Sequence, residues 1–184
     1  MLEETTDWMV RLRRRWDSAE GRTVLSRVLA SLRAHRAWST ALTTLSDVDM
    51  IENGRDLRGA PLDGLDLAGV DLGDTALDFV RLCGANLEGA DFRGAELNHA
   101  DLSEARLVGA SFEGCLMVRV NLTNANLSEA YLAGASLTGG MLRGANFTRA
   151  DLSDAVLFGA DTKGAIFECA LLQNTRFGTF ADER

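Results

Sequence analysis

Residues 84–102 read GANLEGADFRGAELNHADL. They place Leu87, Phe92, Leu97 and Leu102 five positions apart, with Ala85, Ala90, Ala95 and Ala100 each two residues earlier. Five is neither the helical nor the strand period. On an α-helix five residues advance about 500°, so successive large residues would drift by about 140° and form no stripe. On a strand an odd spacing sends them to opposite faces. All of them can be buried together only if the chain bends once per five residues, always in the same sense. The result is a coil with one short side per unit. The large residue points inward, with the small residue two before it alongside.

This register runs from Arg55 to Thr179, 25 units without a slip. The central residue is Leu, Phe or Met in every unit except at Thr162. The residue two before the centre is Ala in 16 units, and the residue two after it is Gly in 13. Glycine eases a tight corner. Because 12 units lack it, the sequence predicts corners that do not demand a positive φ everywhere.

Units such as ANLEG (85–89), ADFRG (90–94), ADLSE (100–104), ANLSE (125–129), ANFTR (145–149) and ADLSD (150–154) resemble the pentapeptide-repeat family. The resemblance covers about two-thirds of the chain. It implies an all-β solenoid, a right-handed quadrilateral β-helix with four units per coil. The 20-residue spacing of Phe92/Phe112 and Phe147/Phe167 fits that count. Six coils stacked at about 4.8 Å make a rod roughly 30 Å long. Both ends of such a rod expose backbone and apolar side chains and need covering.

Residues 1–50 carry a different pattern and predict an α-helical cap or appendage. Residues 51–54 form a linker, 55–179 the β-helix and 180–184 a tail. Trp8, Met9, Leu12 and Trp16 form one helical stripe, with Arg11, Arg14 and Arg15 off it. Gly21 reads as a helix stop. Val24, Leu25, Val28, Leu29 and Leu32 form a second stripe, over about Arg22–Ala37, and Ser39 reads as the cap of a short third helix to Leu45. The simplest cover for these apolar faces is the open N-terminal end of the rod. Arg55 at an inward slot and Pro61 before a centre suit a first coil not fully enclosed.

The chain has 184 residues, 46% hydrophobic and 25% charged, with net charge -8. That composition is globular, and the charge disfavours direct nucleic-acid binding. There is no run of 18 apolar residues and no secretory leader, so no transmembrane segment and a cytoplasmic location are expected. Cys83, Cys115 and Cys169 form no CxxC pair and suggest a reducing compartment. His35 and His99 sit in no nucleophile or metal constellation, and no phosphate-binding, dinucleotide, metalloprotease or nucleophile-elbow motif occurs. The expectation is no enzyme, no cofactor and no metal.

The outward positions carry the functional signal. Taking every fourth unit as one side, the four sides sum to +1, -1, -2 and -5. The most acidic side holds Asp71, Asp74, Asp91, Glu113, Asp151 and Asp154 against Arg93. It is either a surface for a basic partner or a solvated face that keeps the rod in solution. The first side predicts outward Leu116, Val118, Val156 and Phe158, an apolar docking or homodimer patch, or a surface covered by the N-terminal helices. The run RLRRR (11–15) could meet nucleic acid or an anionic membrane, face solvent, or dock on the rod's own acids.

Two functions follow. The first is a non-enzymatic protein-interaction scaffold. The alternative comes from the resemblance, because some pentapeptide-repeat proteins mimic duplex DNA and bind type II topoisomerases such as DNA gyrase, giving inhibition, antibiotic resistance or protection from topoisomerase poisons. Duplex DNA carries about 18 charges over 30 Å. The repeats here carry -7, about 40% of that.

Overall fold

A computed structural model describes residues 14–33 and 55–178. In the repeats, the residue before each centre pairs in parallel with the residue 20 positions on, from Asp56 with Ala76 through to Val156 with Arg176. One circuit is therefore four units, and the coil has four sides. Coil one is 55–74, coil two 75–94, and so on to coil six, 155–174. Residues 175–178 begin a seventh. The first side contains the centres from Leu57 and Leu77 to Phe177. The second begins at Leu62, the third at Leu67 and the fourth at Leu72. Each side contributes one bridging residue because the chain turns again within five residues.

The backbone accounts for nearly all its polar groups by one repeated scheme. The centre's C=O accepts the N–H three residues on, as Leu87 does from Ala90 at 3.1 Å. The N–H groups of the centre and of the corner residue two after it donate to the next coil. The N–H before the centre donates to the previous one, as in Leu87 to Arg106, Gly89 to Val108 and Asn86 to Leu65. The N–H just after the centre is left over. Where Asp or Asn precedes the centre, its own Oδ1 accepts that N–H: Asp91 from Arg93 at 3.0 Å, Asn121 from Thr123 at 3.1 Å, Asp151 from Ser153 at 2.9 Å. Such an Asx turn explains the repeat's preference for Asp or Asn there.

The corners differ from the sequence expectation. Every corner residue from Gly59 to Asn174 has a positive φ, between 50° and 75°. Eleven of these are not glycine, including Phe79, His99, Glu104 and Arg149. With φ positive only at the third turn position, these are type II turns. Holding an L-residue there costs about 1–2 kcal/mol. The coils above and below impose it, because the same residue's N–H must reach the next coil's carbonyl, as Glu104 N–H does at Thr123 O, 2.9 Å.

The core is a set of stacked ladders of Leu, Phe and small residues, buried through coils one to five. Phe92 lies on Phe112 with centroids 4.8 Å apart, and Phe147 on Phe167 at 5.1 Å. Burial falls off over the last described units, where Leu172 and Phe177 are 39% and 45% exposed.

At the other end a helical turn over residues 14–17 leads into helix α1, Ala19–Arg33. Ser18 caps α1 by accepting the Gly21 N–H on its Oγ at 2.9 Å. Gly21 is therefore inside the first turn of α1 and is not a stop. It is glycine because a Cβ would lie 1.9 Å from Arg15 O. The helix begins earlier than its apolar stripe because a cap, not the first apolar residue, starts it. Trp16, Val24 and Val28 are buried in one cluster with Leu57, Ala60 and Leu62, with Leu25 and Leu29 packed against it. Trp8, Met9, Leu12, the Leu32 side chain and the third helix expected after Ser39 lie outside what is described. Arg55 is half-buried, and its guanidinium donates to Thr75 Oγ1 and Asp71.

Candidate interaction faces

The 20-residue register brings the acidic candidates onto one side. Asp71 bridges Asp91, and Asp151 lies three coils beyond Asp91, but Ser111 and Tyr131 stand between them and Leu171 follows. Tyr131 and Leu171 are both more than half exposed. The acids are also employed within the fold. Asp71, Asp91 and Asp151 each cap the N–H two residues on. Asp71 is ion-paired with Arg55 at 3.0 Å and Asp91 with Arg93 at 2.6 Å. The Arg93 guanidinium holds the Asp91 carboxyl below the ordinary carboxylate range. Asp154 accepts from Asn174 at 3.0 Å. Asp74 and Glu113 are exposed. What counts as a charge excess along the sequence is, in space, a broken row whose members mostly serve turns and ion pairs.

The apolar candidates lie on the first side in two columns. Leu116, Ser136 and Val156 are successive bridge partners, followed by Arg176 and preceded by Glu96. Val118, Thr138 and Phe158 form the parallel column, one position past the centres. Leu116 is 47% exposed, while Val118, Val156 and Phe158 are half-buried. Arg176 lays its guanidinium over the Phe158 ring at 4.7 Å. Leu116 and Val156 stand at the position where 11 of the 25 units place Asp or Asn. The orphaned Val118 N–H is taken instead by Asn98 Oδ1 from the coil before, at 3.1 Å, and the Asn98 N–H by Asp78 at 2.9 Å. At Leu116 the local cap is given up and its backbone cost is met from the neighbouring coil.

Two arrangements escaped the sequence reading. The first is a corner row in which the Phe79 ring lies on the His99 imidazole, centroids 4.9 Å apart and parallel to within 1°, with Arg119 next in line. Partial burial, then the Arg119 charge, holds His99 below the usual histidine value. The 20-residue offset of the two rings was the available signal. The second is a buried ion cluster at the N-terminal end. Asp56 is fully buried between Arg15, at 3.1 Å, and Arg58, at 2.8 Å. Burial pushes its carboxyl up, but the Arg58 hydrogen bond and the Arg15 charge outweigh burial and hold it below the ordinary range. Trp16 Nε1 donates to Arg58 O beside it, at 2.8 Å. Of the run 11–15, Arg14 is exposed and Arg15 docks on an acid of the rod; residues 11–13 are outside what is described.

Among the described residues no three His, Cys, Asp or Glu side chains gather as about a metal ion. No described helix is long and apolar enough to cross a membrane. The three cysteines are free thiols. Cys115 is buried, which pushes its thiol up to about 12, and its Sγ donates to Phe92 O.

The coil, its five-residue corners and its Asx turns define a pentapeptide-repeat solenoid. The chain belongs to the pentapeptide-repeat family, whose model matches residues 75–114 and 115–154 in 8 copies. Among solved structures it is similar to a pentapeptide repeat protein of the Arabidopsis thaliana thylakoid lumen. That match has 38% identity, covers 53% of this chain and 68% of that one, and has a TM-score of 0.29. A pentapeptide repeat protein from the cyanobacterium Cyanothece 51142 is 27% identical over 67% of this chain and 91% of that one, TM-score 0.33. QnrB1, a plasmid-mediated fluoroquinolone resistance protein, is 21% identical over 66% and 64%, TM-score 0.36. No curated protein matches the chain.

Proposed function

We propose that the protein is a non-enzymatic interaction scaffold, a right-handed four-sided rod that presents its first side to a protein partner. In this reading residues 1–50 serve the rod as a cap, 55–179 carry the display, and the protein works in the cytoplasm. One observation supports it above the others. Leu116 and Val156 occupy turn-capping positions of a flat face, and Asn98 on the preceding coil supplies the cap that Leu116 cannot. Leu116 and Val156 share one column, with Val118 and Phe158 beside them, whereas Met141 and Ile166 stand singly at the same repeat position on the second and third sides. A covered contact supplies a reason for apolar residues gathered on one side. A photo-crosslinking residue in place of Thr138, at the centre of the face, should capture a protein. The same residue in place of Ser128, on the third side, should not. Absence of any adduct at position 138 would overturn the reading.

The narrower reading, a DNA mimic on a type II topoisomerase, needs a continuous row of negative charge. Tyr131 and Leu171 stand in line with Asp71, Asp91 and Asp151, so the general scaffold is the better supported. The expected result is that the purified protein leaves gyrase supercoiling unchanged. Inhibition would select the mimic.

A further inference from the structure

Resting on the scaffold reading of the first side, we infer that the partner on this face is a second copy of the chain, packed side on side with the two rods antiparallel. The argument is the symmetry of what the face displays about coil five. At its centre lie Ser136 and Thr138, small and hydroxylic, with Oγ and Oγ1 3.3 Å apart. One coil to either side in the bridge column stand Leu116 and Val156, and in the parallel column Val118 and Phe158. Two coils to either side stand Glu96 and Arg176, of opposite charge.

A two-fold axis lying across the face at coil five keeps each column and reverses the coil order. It sets Leu116 on the second copy's Val156, Val118 on the second copy's Phe158, and Glu96 opposite the second copy's Arg176. Each unlike contact occurs twice, as an isologous interface requires. Opposite charges placed at equal distances from the Ser136/Thr138 centre, beyond the apolar residues that flank it, make a surface complementary to itself in this orientation. An axis along the rod would instead put Leu116 on the second copy's Val118 and Glu96 on the second copy's Asn98, pairing no charges. Glu96 and Arg176 are four coil rises apart, about 19 Å. Four apolar side chains make a small face against a standard interface of about 800 Å² per partner, so the dimer is weak.

Sedimentation velocity on the full chain, from micromolar to submillimolar concentration, tests this. The expected result is a reversible monomer–dimer equilibrium. Leu116→Lys should abolish it. Glu96→Arg and Arg176→Glu should each weaken it by about tenfold, and the two together should restore it. Leu172→Lys, at a 39% exposed position on the last full coil, should leave it intact. Circular dichroism verifies that each variant folds. A wild-type monomer at every concentration would overturn the inference, as would a double variant that stays weak. Loss of the dimer in Leu172→Lys would move the contact to the rod's end and overturn it equally. These outcomes are separable from failure of the scaffold reading. If the Thr138 crosslinker captures only a different protein, the face is an interaction site but not a self-association site.

Discussion

Arg15 and Asp56, 41 residues apart, meet at 3.1 Å where the N-terminal helical segment crosses the first coil. Asp56 begins the repeat's first turn by capping the Arg58 N–H, and it also receives the cation that comes in with Trp16. One carboxylate thus joins the end of the rod to its cover.

Replacing Asp56 with Asn keeps a turn cap but removes the buried carboxylate that Arg15 and Arg58 share. Breaking a buried pair from one side costs about 3 kcal/mol or more. The folded carboxyl lies below its ordinary range, so its contribution is present above the ordinary carboxylate pKa and lost as pH falls through the folded value. Denaturant unfolding of wild type and Asp56→Asn should differ most at neutral pH and converge in acid. A constant gap down to the acid limit would contradict the assignment.

Gly21→Ala separates the two readings of that glycine. In an open helix the change stabilises by about 1 kcal/mol. Here the added Cβ would meet Arg15 O at 1.9 Å, a backbone atom that cannot give way cheaply. The expected effect is a loss of about 3 kcal/mol, seen as a lower thermal midpoint. A rise would show that the close approach is not held.

The corners can be tested without a clash. Gly109 has φ +65° and open space where a Cβ would go, so Gly109→Ala isolates the backbone cost, about 1 kcal/mol. Gly94 has φ +70°, and a Cβ there would also lie 2.4 Å from Asp74 Oδ1. Gly94→Ala should cost more than Gly109→Ala in equilibrium unfolding, and equal costs would remove Asp74 from the account.

Thiol labelling should rank the cysteines by burial. Cys169 is exposed, Cys83 half-buried and Cys115 buried, its thiol pushed up to about 12. A thiolate-selective reagent should modify Cys169 first and Cys115 only when coil four opens. Cys115 reacting as fast as Cys169 in native buffer would mean that the coil is not closed.

Much of the fold was legible in the residues. The spacing of Leu87, Phe92, Leu97 and Leu102 assigns inward and outward positions with no knowledge of the coil. The corner conformation was not legible, because Phe79, Glu104 and Arg149 have no local preference for a positive φ; bonds to adjacent coils enforce it. The acids of the fourth side were found by counting, but their work within turns and ion pairs is visible only once Arg55 reaches Asp71 and Arg93 folds onto Asp91. Gly21 read as a stop because the carbonyl it must pass belongs to Arg15, brought near only by the turn at Ser18.

The sequence by itself determined which side chains fill the core and which face outward, because a five-residue bend acts on neighbours along the chain. The tertiary structure decided which outward residues share a face and what covers the first coil. Those depend on contacts across 20 and 41 residues, where ladder hydrogen bonds and a buried ion pair, not any local pattern, set the register.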